Sequence, residues 1–155
     1  MTVTIPGRGQ LDLYHLVLDF NGTFALDGKL LPDVAERLQS LSRHLEIFVI
    51  TADTNGTVRR ECGHLPVTLT IAEAANQAER KEAFVRGLSP QGTVVVGNGA
   101  NDARMFTAAD LAFAVVGGEG CFTQTLLQSD IAVQKATDAF DLLLKHNRLI
   151  ATLRK

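Results

Sequence analysis

Polar groups that could bind a metal ion or a phosphate follow three apolar runs of the chain, at the point where each run ends. The segments are 19–23 (DFNGT), 51–54 (TADT) and 97–102 (GNGAND). Carboxylate and amide oxygens are ligands for hard divalent cations, and hydroxyl and amide groups can bind phosphoryl oxygens. Taken singly, each segment is more often a turn or a helix cap than a binding site, because Asp, Asn and Gly favour both structures.

One lysine is predicted to face the same region. In the helix that is predicted to end at Leu88, Lys81 falls on the same apolar side as Val85 and Leu88. An inward lysine is costly unless it meets an anion, although by itself it could also reach water past its own apolar neighbours. Together with Asp19, Asp102 and the hydroxyl at the second strand end, it favours a phosphate site with a divalent cation.

The elements that would position these groups are strands alternating with helices. We predict strands at Leu16–Leu18, Ile47–Ile50, Val67–Ile71, Val94–Val96, Leu111–Val116 and Ile131–Val133. We predict helices from Pro32-Asp33 through Leu45, at 54–63, from Glu73 or Asn76 to Leu88 with a stop at Ser89-Pro90, at 101–109, near 122–128, and over 136–153 as one helix or two. This order predicts an α/β fold, a three-layer α/β/α Rossmann-like arrangement around a mainly parallel sheet, with sites at the carboxyl ends of the strands. Thr2–Ile5 and Leu11–Leu13, around a Pro/Gly turn, predict an N-terminal β-hairpin.

Composition restricts the class of protein. The 155 residues include 15 Lys and Arg against 17 Asp and Glu, with no basic run, so neither nucleic acid nor an anionic membrane surface is an expected partner. No apolar stretch approaches the roughly 20 residues of a membrane span, and the N-terminus lacks a signal-peptide pattern. The two cysteines have no metal-ligand spacing. We expect one domain over 1–155 in a cytoplasmic protein.

The ordered motifs resemble those of the haloacid dehalogenase (HAD) superfamily of phosphohydrolases. DFNGT resembles the nucleophile motif Asp-x-Asp-Gly-Thr, Thr51 fits the second motif, Lys81 the third, and GNGAND resembles the fourth, Gly-Asp-Gly-x-Asn-Asp. The likeness covers about residues 13–135. The segment from Thr51 to Asp53 and the helix that carries Lys81 are similar to the phosphorylation domains of P-type ATPases, which indicates the small soluble P-type ATPase-like branch.

The resemblance implies that Asp19 attacks phosphorus and carries an aspartyl-phosphate, which water later hydrolyses. It implies Asp19, Asn21, Thr51 and Lys81 as catalytic residues. The implied Mg²⁺ ligands are Asp19, the backbone carbonyl of Asn21, Asn98 and Asp102. The implied phosphate-binding residues are Gly22, Thr23, Thr51, Ala52, Lys81 and Asn101.

Two positions depart from the family pattern. Asn21 stands where family phosphatases carry an Asp that protonates the leaving group and then activates water. A carboxamide cannot exchange that proton, and the loss of acid–base help costs about 10²–10⁴ in rate. Asn98 stands where the family has an Asp that ligates Mg²⁺, so one negative charge is missing and Mg²⁺ affinity should fall.

The segments after the first two motifs hold no cap domain. Residues 24–46 fit a small flap at 25–30 followed by one helix. Capless relatives act on macromolecules or close their sites by oligomerising, so the expected partners are a small phosphorylated substrate or a phosphoprotein, and a homo-oligomer (dimer or tetramer) is possible. The alternative is a catalytically impaired pseudo-enzyme that binds phosphate, metal or a partner, and the two Asn residues motivate it. A nucleotide-binding domain of another class is disfavoured, because no glycine-rich or P-loop pattern follows the first strand.

Overall fold

The computed structural model describes residues 1–53, 55–72, 75–88 and 92–155. Its strands are β1 (Thr2–Ile5), β2 (Gly9–Asp12), β3 (His15–Leu18), β4 (Ala25–Leu26), β5 (Lys29–Leu30), β6 (Glu46–Thr51), β7 (Thr68–Ile71), β8 (Thr93–Gly97), β9 (Leu111–Val115) and β10 (Ile131–Val133). Its α-helices are α1 (Val34–Leu41), α2 (Val58–Cys62), α3 (Gln77–Leu88), α4 (Ala103–Ala108), α5 (Thr123–Leu127), α6 (Ala136–Leu144) and α7 (His146–Leu153). The predicted helix starts at Thr54 and Glu73 and the predicted stop at Ser89-Pro90 lie outside the described residues.

A six-stranded sheet forms the centre of the molecule, in the order β10-β9-β8-β3-β6-β7, and its described pairs are parallel. β3 lies in the middle, where His15 pairs with Glu46 on one side and with Thr93 on the other. Because β6, β3 and β8 are neighbours, their carboxyl ends bring residues 51–53, 19–23 and 97–102 to one edge of the sheet. The predicted mainly parallel sheet is confirmed.

Helices cover both faces of the sheet, as the three-layer prediction requires. Within β3, Leu16 and Leu18 belong to one buried cluster and Val17 to the other, because successive side chains of a strand point to opposite faces. The first cluster includes side chains of α1, α2, α6 and α7, and the second includes side chains of α3 and α4. Both faces of β3 are therefore buried from solvent, which explains its uninterrupted apolar run.

The predicted N-terminal hairpin is present. β1 and β2 pair antiparallel, with Ile5 opposite Gly9. Val3 and Ile5 are buried in the same cluster as α7, and Arg8 forms an ion pair of 2.8 Å with Asp130. The hairpin therefore packs within the chain through one side of β1.

Some element bounds differ from the sequence prediction. The last predicted helix is two, α6 and α7, with Lys145 at φ −114° and ψ 74° between them. The helix predicted at 101–109 begins as a 3₁₀ turn, Ala100–Asp102, before α4. Helix α1 ends at Leu41, and Leu45 is buried beyond it. In the described part of the chain, no helix is both long and apolar enough to cross a bilayer.

Candidate active site

Three charged side chains meet beneath the carboxyl edge of the sheet. Lys81 Nζ lies 2.6 Å from Asp19 Oδ1 and 2.7 Å from Asp102 Oδ1. Lys81 and Asp102 are fully buried, and Asp19 is 7% exposed. A buried ammonium is tolerated here because two carboxylates accept its hydrogen bonds. The structure thus brings together the predicted nucleophile, the predicted lysine and the last acid of the 97–102 segment.

The protonation of this cluster follows from its burial and its charges. Burial, and then the charge of Asp102, raise the pKa of Asp19 to about 6, although Lys81 acts in the opposite direction. Burial alone would lower the pKa of Lys81, but the charges and hydrogen bonds of Asp102 and Asp19 outweigh it and raise that pKa. Lys81 is therefore a permanent cation, and Asp19 changes charge in the range of mildly acidic pH.

Both carboxylate oxygens of Asp102 are engaged. Oδ1 accepts from Lys81, and Oδ2 accepts from the backbone N–H groups of Asn98 and Gly99, each at 2.9 Å. A Cβ on Gly97 would lie 2.5 Å from that Oδ2, so a glycine is required for the carboxylate to lie against the end of β8. Asp102 thus holds Lys81 and the 97–102 loop together, while its role as a metal ligand stays a prediction.

The second carboxylate oxygen of Asp19, Oδ2, and the side-chain oxygen of Asn98 both lie near the hydroxyl of Thr23. Thr23 Oγ1 lies 3.4 Å from Asp19 Oδ2 and 3.2 Å from Asn98 Oδ1. The Asn98 amide donates to the carbonyl of Gly120 at 3.1 Å, which turns its oxygen toward Thr23. Asp19 Oδ2 and Asn98 Oδ1 are hard oxygen donors on the same side of the cluster, so they fit a small divalent cation.

The side chain of Asn21 is used by the flap. Its Oδ1 accepts from the backbone N–H of Gly28 at 2.9 Å and from Asn55 Nδ2 at 3.3 Å. Thr57 Oγ1 donates to the carbonyl of Gly28 at 2.6 Å. The turn between β4 and β5 is therefore fixed from both sides, and the Asn21 oxygen is an acceptor in that contact.

The predicted phosphate-binding backbone at the first motif is engaged in its own turn. The N–H of Gly22 donates to Ala25 O at 2.8 Å, and the N–H of Thr23 donates to Phe20 O at 3.2 Å. These bonds make the tight turn that leads into the flap. Phosphate binding by these two N–H groups stays a prediction, since it requires the turn to open or the bonds to be shared.

The remaining predicted residues lie around the same opening. Thr51 is 4% exposed, and its hydroxyl accepts from the N–H of Asp53 at 3.2 Å. The Asp53 carboxylate accepts from the N–H of Thr57, the N-cap residue of α2, and from that of Val58, the first residue of α2, so it helps to cap this helix. Asn101 Nδ2 donates to Gln77 Oε1 at 2.6 Å.

Thr51, Gln77 and Asn101 line a polar cleft of about 200 Å³. Sequence reasoning did not assign Gln77 to it, and it expected the strand-to-helix loop at 117–120 near its rim without giving Glu119 a role. Gln77 lies one helical turn before Lys81 on α3, and this spacing could have indicated that the two side chains share a face of the helix. Glu119 lies in the loop after β9, the next strand of the sheet. The cleft is lined by Asp19, Asn21, Thr51, Ala52, Gln77, Asn98, Gly99, Asn101 and Glu119.

A larger cavity of about 580 Å³ lies on the other side of the flap. Its lining includes Leu26, Leu31, Val34 and Val116, and it lacks Asp19 and Thr51, which both line the smaller cleft. The chemistry therefore belongs to the smaller cleft. Within residues 1–53, 55–72, 75–88 and 92–155, no group of three or more Asp, Glu, His or Cys side chains is placed to hold a metal ion. A cation here would depend on few carboxylates and on amide or backbone oxygens.

Comparison of the sequence with known proteins finds relatives in Methanocaldococcus jannaschii. Two uncharacterized proteins, MJ0073 and MJ0072, are 49% identical over 61 residues and 48% identical over 40 residues. These matches cover 39% and 26% of the chain, and 66% and 91% of the relatives. A protein named soluble P-type ATPase-like phosphatase is 26% identical over 126 residues, which are 79% of the chain but 46% of that relative. No protein-family model matches the sequence.

Comparison of the structure finds phosphatases. The cobalt-bound deoxy-D-mannose-octulosonate 8-phosphate phosphatase of Haemophilus influenzae has a TM-score of 0.72 at 14% identity, over 86% of this chain and 88% of that one. The corresponding enzyme of Moraxella catarrhalis, in complex with magnesium, phosphate and KDO, has a TM-score of 0.68 at 18% identity, over 92% and 94%.

A third match carries the superfamily's name. A Legionella pneumophila protein described as a HAD-superfamily (subfamily III A) hydrolase has a TM-score of 0.70 at 15% identity, over 90% of this chain and 87% of that one. At identities this low, the matched structures establish the fold alone. The chain therefore has the fold of the HAD-superfamily phosphatases, as its motifs predict, and a soluble P-type ATPase-like phosphatase is among its relatives.

Proposed function

We propose that this protein is a Mg²⁺-dependent phosphohydrolase or phosphotransferase that forms an aspartyl-phosphate at Asp19. The observation that carries the proposal is the position of Asp19, at the end of the central strand, in a polar cleft and 2.6 Å from the buried Lys81. The phosphatase fold supports a phosphohydrolase, and the metal-bound enzymes with the same fold support a divalent cation.

The first chemical step uses the ionised carboxylate of Asp19. One of its oxygens attacks phosphorus in line, the bond from phosphorus to the leaving oxygen breaks, and the acyl-phosphate forms. Water then attacks the phosphorus of the acyl-phosphate, releasing inorganic phosphate and restoring the carboxylate. Lys81, held by Asp102, neutralises charge on the phosphoryl oxygens throughout, because its raised pKa keeps it protonated.

The hydroxyl of Thr51 and the amide of Asn101 line the cleft, where they are candidate donors to phosphoryl oxygens. The backbone N–H groups of Gly22, Thr23 and Ala52 are further candidates for that role. The residues that would hold a divalent cation are Asp19, Asn98 and the backbone carbonyl of Asn21, with Asp102 behind them, and such an ion supplies positive charge to the phosphoryl oxygens.

Asn21 determines which substrates suit the site. Its carboxamide cannot give a proton to the leaving group, and its oxygen is occupied by the flap. Substrates whose leaving groups need no proton, such as acyl or aryl phosphates, should react best. Hydrolysis of the aspartyl-phosphate should be slow, because no carboxylate stands at position 21 to activate water.

The substrate class follows from the shape of the cleft and from the absence of a cap in the described chain. We propose a small phosphorylated molecule or a phosphoprotein, acted on by a single domain over 1–155 in a cytoplasmic protein. The site could be closed by a second copy in a dimer or tetramer. The chain spans about half the length of the phosphatase relative it matches, so the activity of the whole protein is part of the proposal.

A pseudo-enzyme is the second candidate, since both departures from the family pattern remove carboxyl groups from the cleft. The test is steady-state hydrolysis of acetyl phosphate with Mg²⁺, comparing wild type with Asp19→Asn. We expect slow turnover that the variant lacks and that chelation abolishes. Equal rates for wild type and variant would favour the binding module.

A further inference from the structure

Glu119 is a carboxylate at the cleft that the proposed chemistry does not use. It lies in a tight turn in which the N–H of Gly120 donates to Gly117 O at 2.9 Å. The Glu119 side chain is exposed, and among the described residues nothing donates a hydrogen bond to it or pairs with its charge. A turn that only had to connect β9 to α5 would need no charge there.

Glu119 and Asn98 converge on the same point. A Cβ on Gly22 would lie 2.7 Å from Glu119 Oε2, and it would lie even closer to Asn98 Nδ2. Gly22 has φ +76°, so it is the glycine of the nucleophile turn that leaves room for both side chains. The space above Gly22 is thus shared by the amide at position 98 and the carboxylate at position 119.

Asn98 also fixes the turn that carries Glu119. Its Nδ2 donates to the carbonyl of Gly120, the residue next to Glu119. A carboxylate at position 98 could not make this bond, because both of its oxygens would be acceptors facing a carbonyl. Asn98, which lacks the negative charge of the family's Asp, therefore fixes the turn that carries the Glu119 carboxylate.

We propose that Glu119 provides the second carboxylate of the divalent-cation site, in place of the charge that is absent at Asn98. The inference rests on the proposed function, which requires a cation at Asp19. Of the two buried acids, Asp19 has one oxygen, Oδ2, that does not bind Lys81, whereas Asp102 uses one oxygen for Lys81 and the other for two backbone N–H groups. Since hard cations are held largely by ligand charge, one carboxylate with an amide would bind weakly and Glu119 would restore the affinity.

The charges of the cleft support a cation rather than a further anion. Asp19 and Asp102 pair with the one ammonium of Lys81, and Glu119 adds a third carboxylate in the cleft that Asp19 lines. The excess of negative charge repels a phosphate dianion unless a cation is bound first. An exposed, unpartnered glutamate can turn toward Asp19 without breaking another contact.

The test is titration of the full chain with Mn²⁺, with free Mn²⁺ followed by its electron paramagnetic resonance signal and no substrate present. We expect Glu119→Gln to weaken binding by about tenfold or more, because a ligand charge is lost. Glu36→Gln removes an equally exposed carboxylate on α1, away from the cleft, and should leave the affinity unchanged.

The double variant sharpens the test. Asn98→Asp in the Glu119→Gln background should recover most of the lost Mn²⁺ affinity, because the negative charge returns at position 98. In the wild-type background, Asn98→Asp should raise the Mn²⁺ affinity by a smaller factor. If Glu119→Gln binds Mn²⁺ as tightly as wild type, the inference is overturned. Weaker Mn²⁺ binding by Glu119→Gln without any phosphoryl transfer by wild type would refute the proposed function and leave the cation site standing.

Discussion

Two asparagines that precede glycine face the same cleft, but within the described residues only Asn98 uses its side-chain NH₂ group as a donor. Around Asn21, the flap and Asn55 donate to the side-chain oxygen. Around Asn98, the side-chain nitrogen donates to Gly120, and the oxygen accepts from Thr23. An aspartate could replace the first amide with no lost contact, but it would lose the donor of the second. The two departures from the family pattern therefore differ in kind, since the fold could accept an Asp at position 21 and has been built around an Asn at position 98.

The largest effect should come from Lys81, because it neutralises Asp19. Asp19 lines the same cleft as both asparagines. Lys81→Met leaves Asp19 and Asp102 buried without their shared cation, which should lower the free energy of unfolding by about 3–5 kcal/mol. Chemical denaturation measures this loss. Lys29→Met, at an exposed position on the flap, is the control and should change stability by about 0.5 kcal/mol or less. A similar small change in both variants would contradict the buried ion-pair geometry.

The charge of Asp19 should give the next largest effect, as a dependence of stability on pH. Burial raises its pKa from 3.8 to about 6, so between these values the folded state binds more protons than the unfolded state. Without metal, stability should therefore fall as pH rises from about 4 to about 6, by up to about 3 kcal/mol. Asp19→Asn should lose this fall, and Mg²⁺ should reduce it in wild type by favouring the ionised carboxylate. Parallel pH profiles for wild type and Asp19→Asn in thermal unfolding would contradict the burial of this charge.

Asn98→Asp tests one side of the comparison directly. The new carboxylate faces the carbonyl of Gly120 without a proton to donate, which should cost about 1–3 kcal/mol of stability. Urea denaturation of the metal-free protein measures the cost, with Asn98→Ser as the variant that removes the amide without adding charge. If Asn98→Asp is as stable as wild type, Gly120 does not need the amide.

Asn21→Asp tests the other side, and it should have the smallest effect on stability. Its carboxylate can accept the same hydrogen bonds from Gly28 and Asn55, so stability should change by about 0.5 kcal/mol or less. Turnover of a substrate with a poor leaving group should rise by about tenfold or more, because a proton donor is restored. The matched control is the single-turnover transfer from acetyl phosphate to Asp19, because its leaving group needs no proton and this step precedes the hydrolysis that the new carboxylate would also accelerate. If wild type and Asn21→Asp turn over the substrate with the poor leaving group at equal rates, proton transfer does not limit the rate.

The sequence predicted the sheet, because apolar runs such as Val94–Val96 reflect burial on both faces and leave little freedom in their placement. It also predicted that Lys81 faces the sheet, since helical spacing alone puts it beside Val85. It could not predict that Asn21 holds Gly28, or that Gly120 accepts from Asn98. Those bonds join segments 7 and 22 residues apart in sequence, and their geometry depends on turns that periodicity does not specify. The loop at 117–120 was expected near the rim of the site, but a role for Glu119 could not be predicted, because an exposed glutamate in a glycine-rich turn carries no periodic signal.

The most direct test of phosphoryl transfer at Asp19 is the intact mass of the protein after incubation with acetyl phosphate and Mg²⁺ and rapid acid quenching. We expect wild type to gain one phosphoryl group that hydroxylamine removes, as an acyl-phosphate requires, and Asp19→Asn to gain none. A wild-type protein that stays unmodified under conditions where Mg²⁺ is bound, or an Asp19→Asn variant that is modified equally, would contradict the central claim.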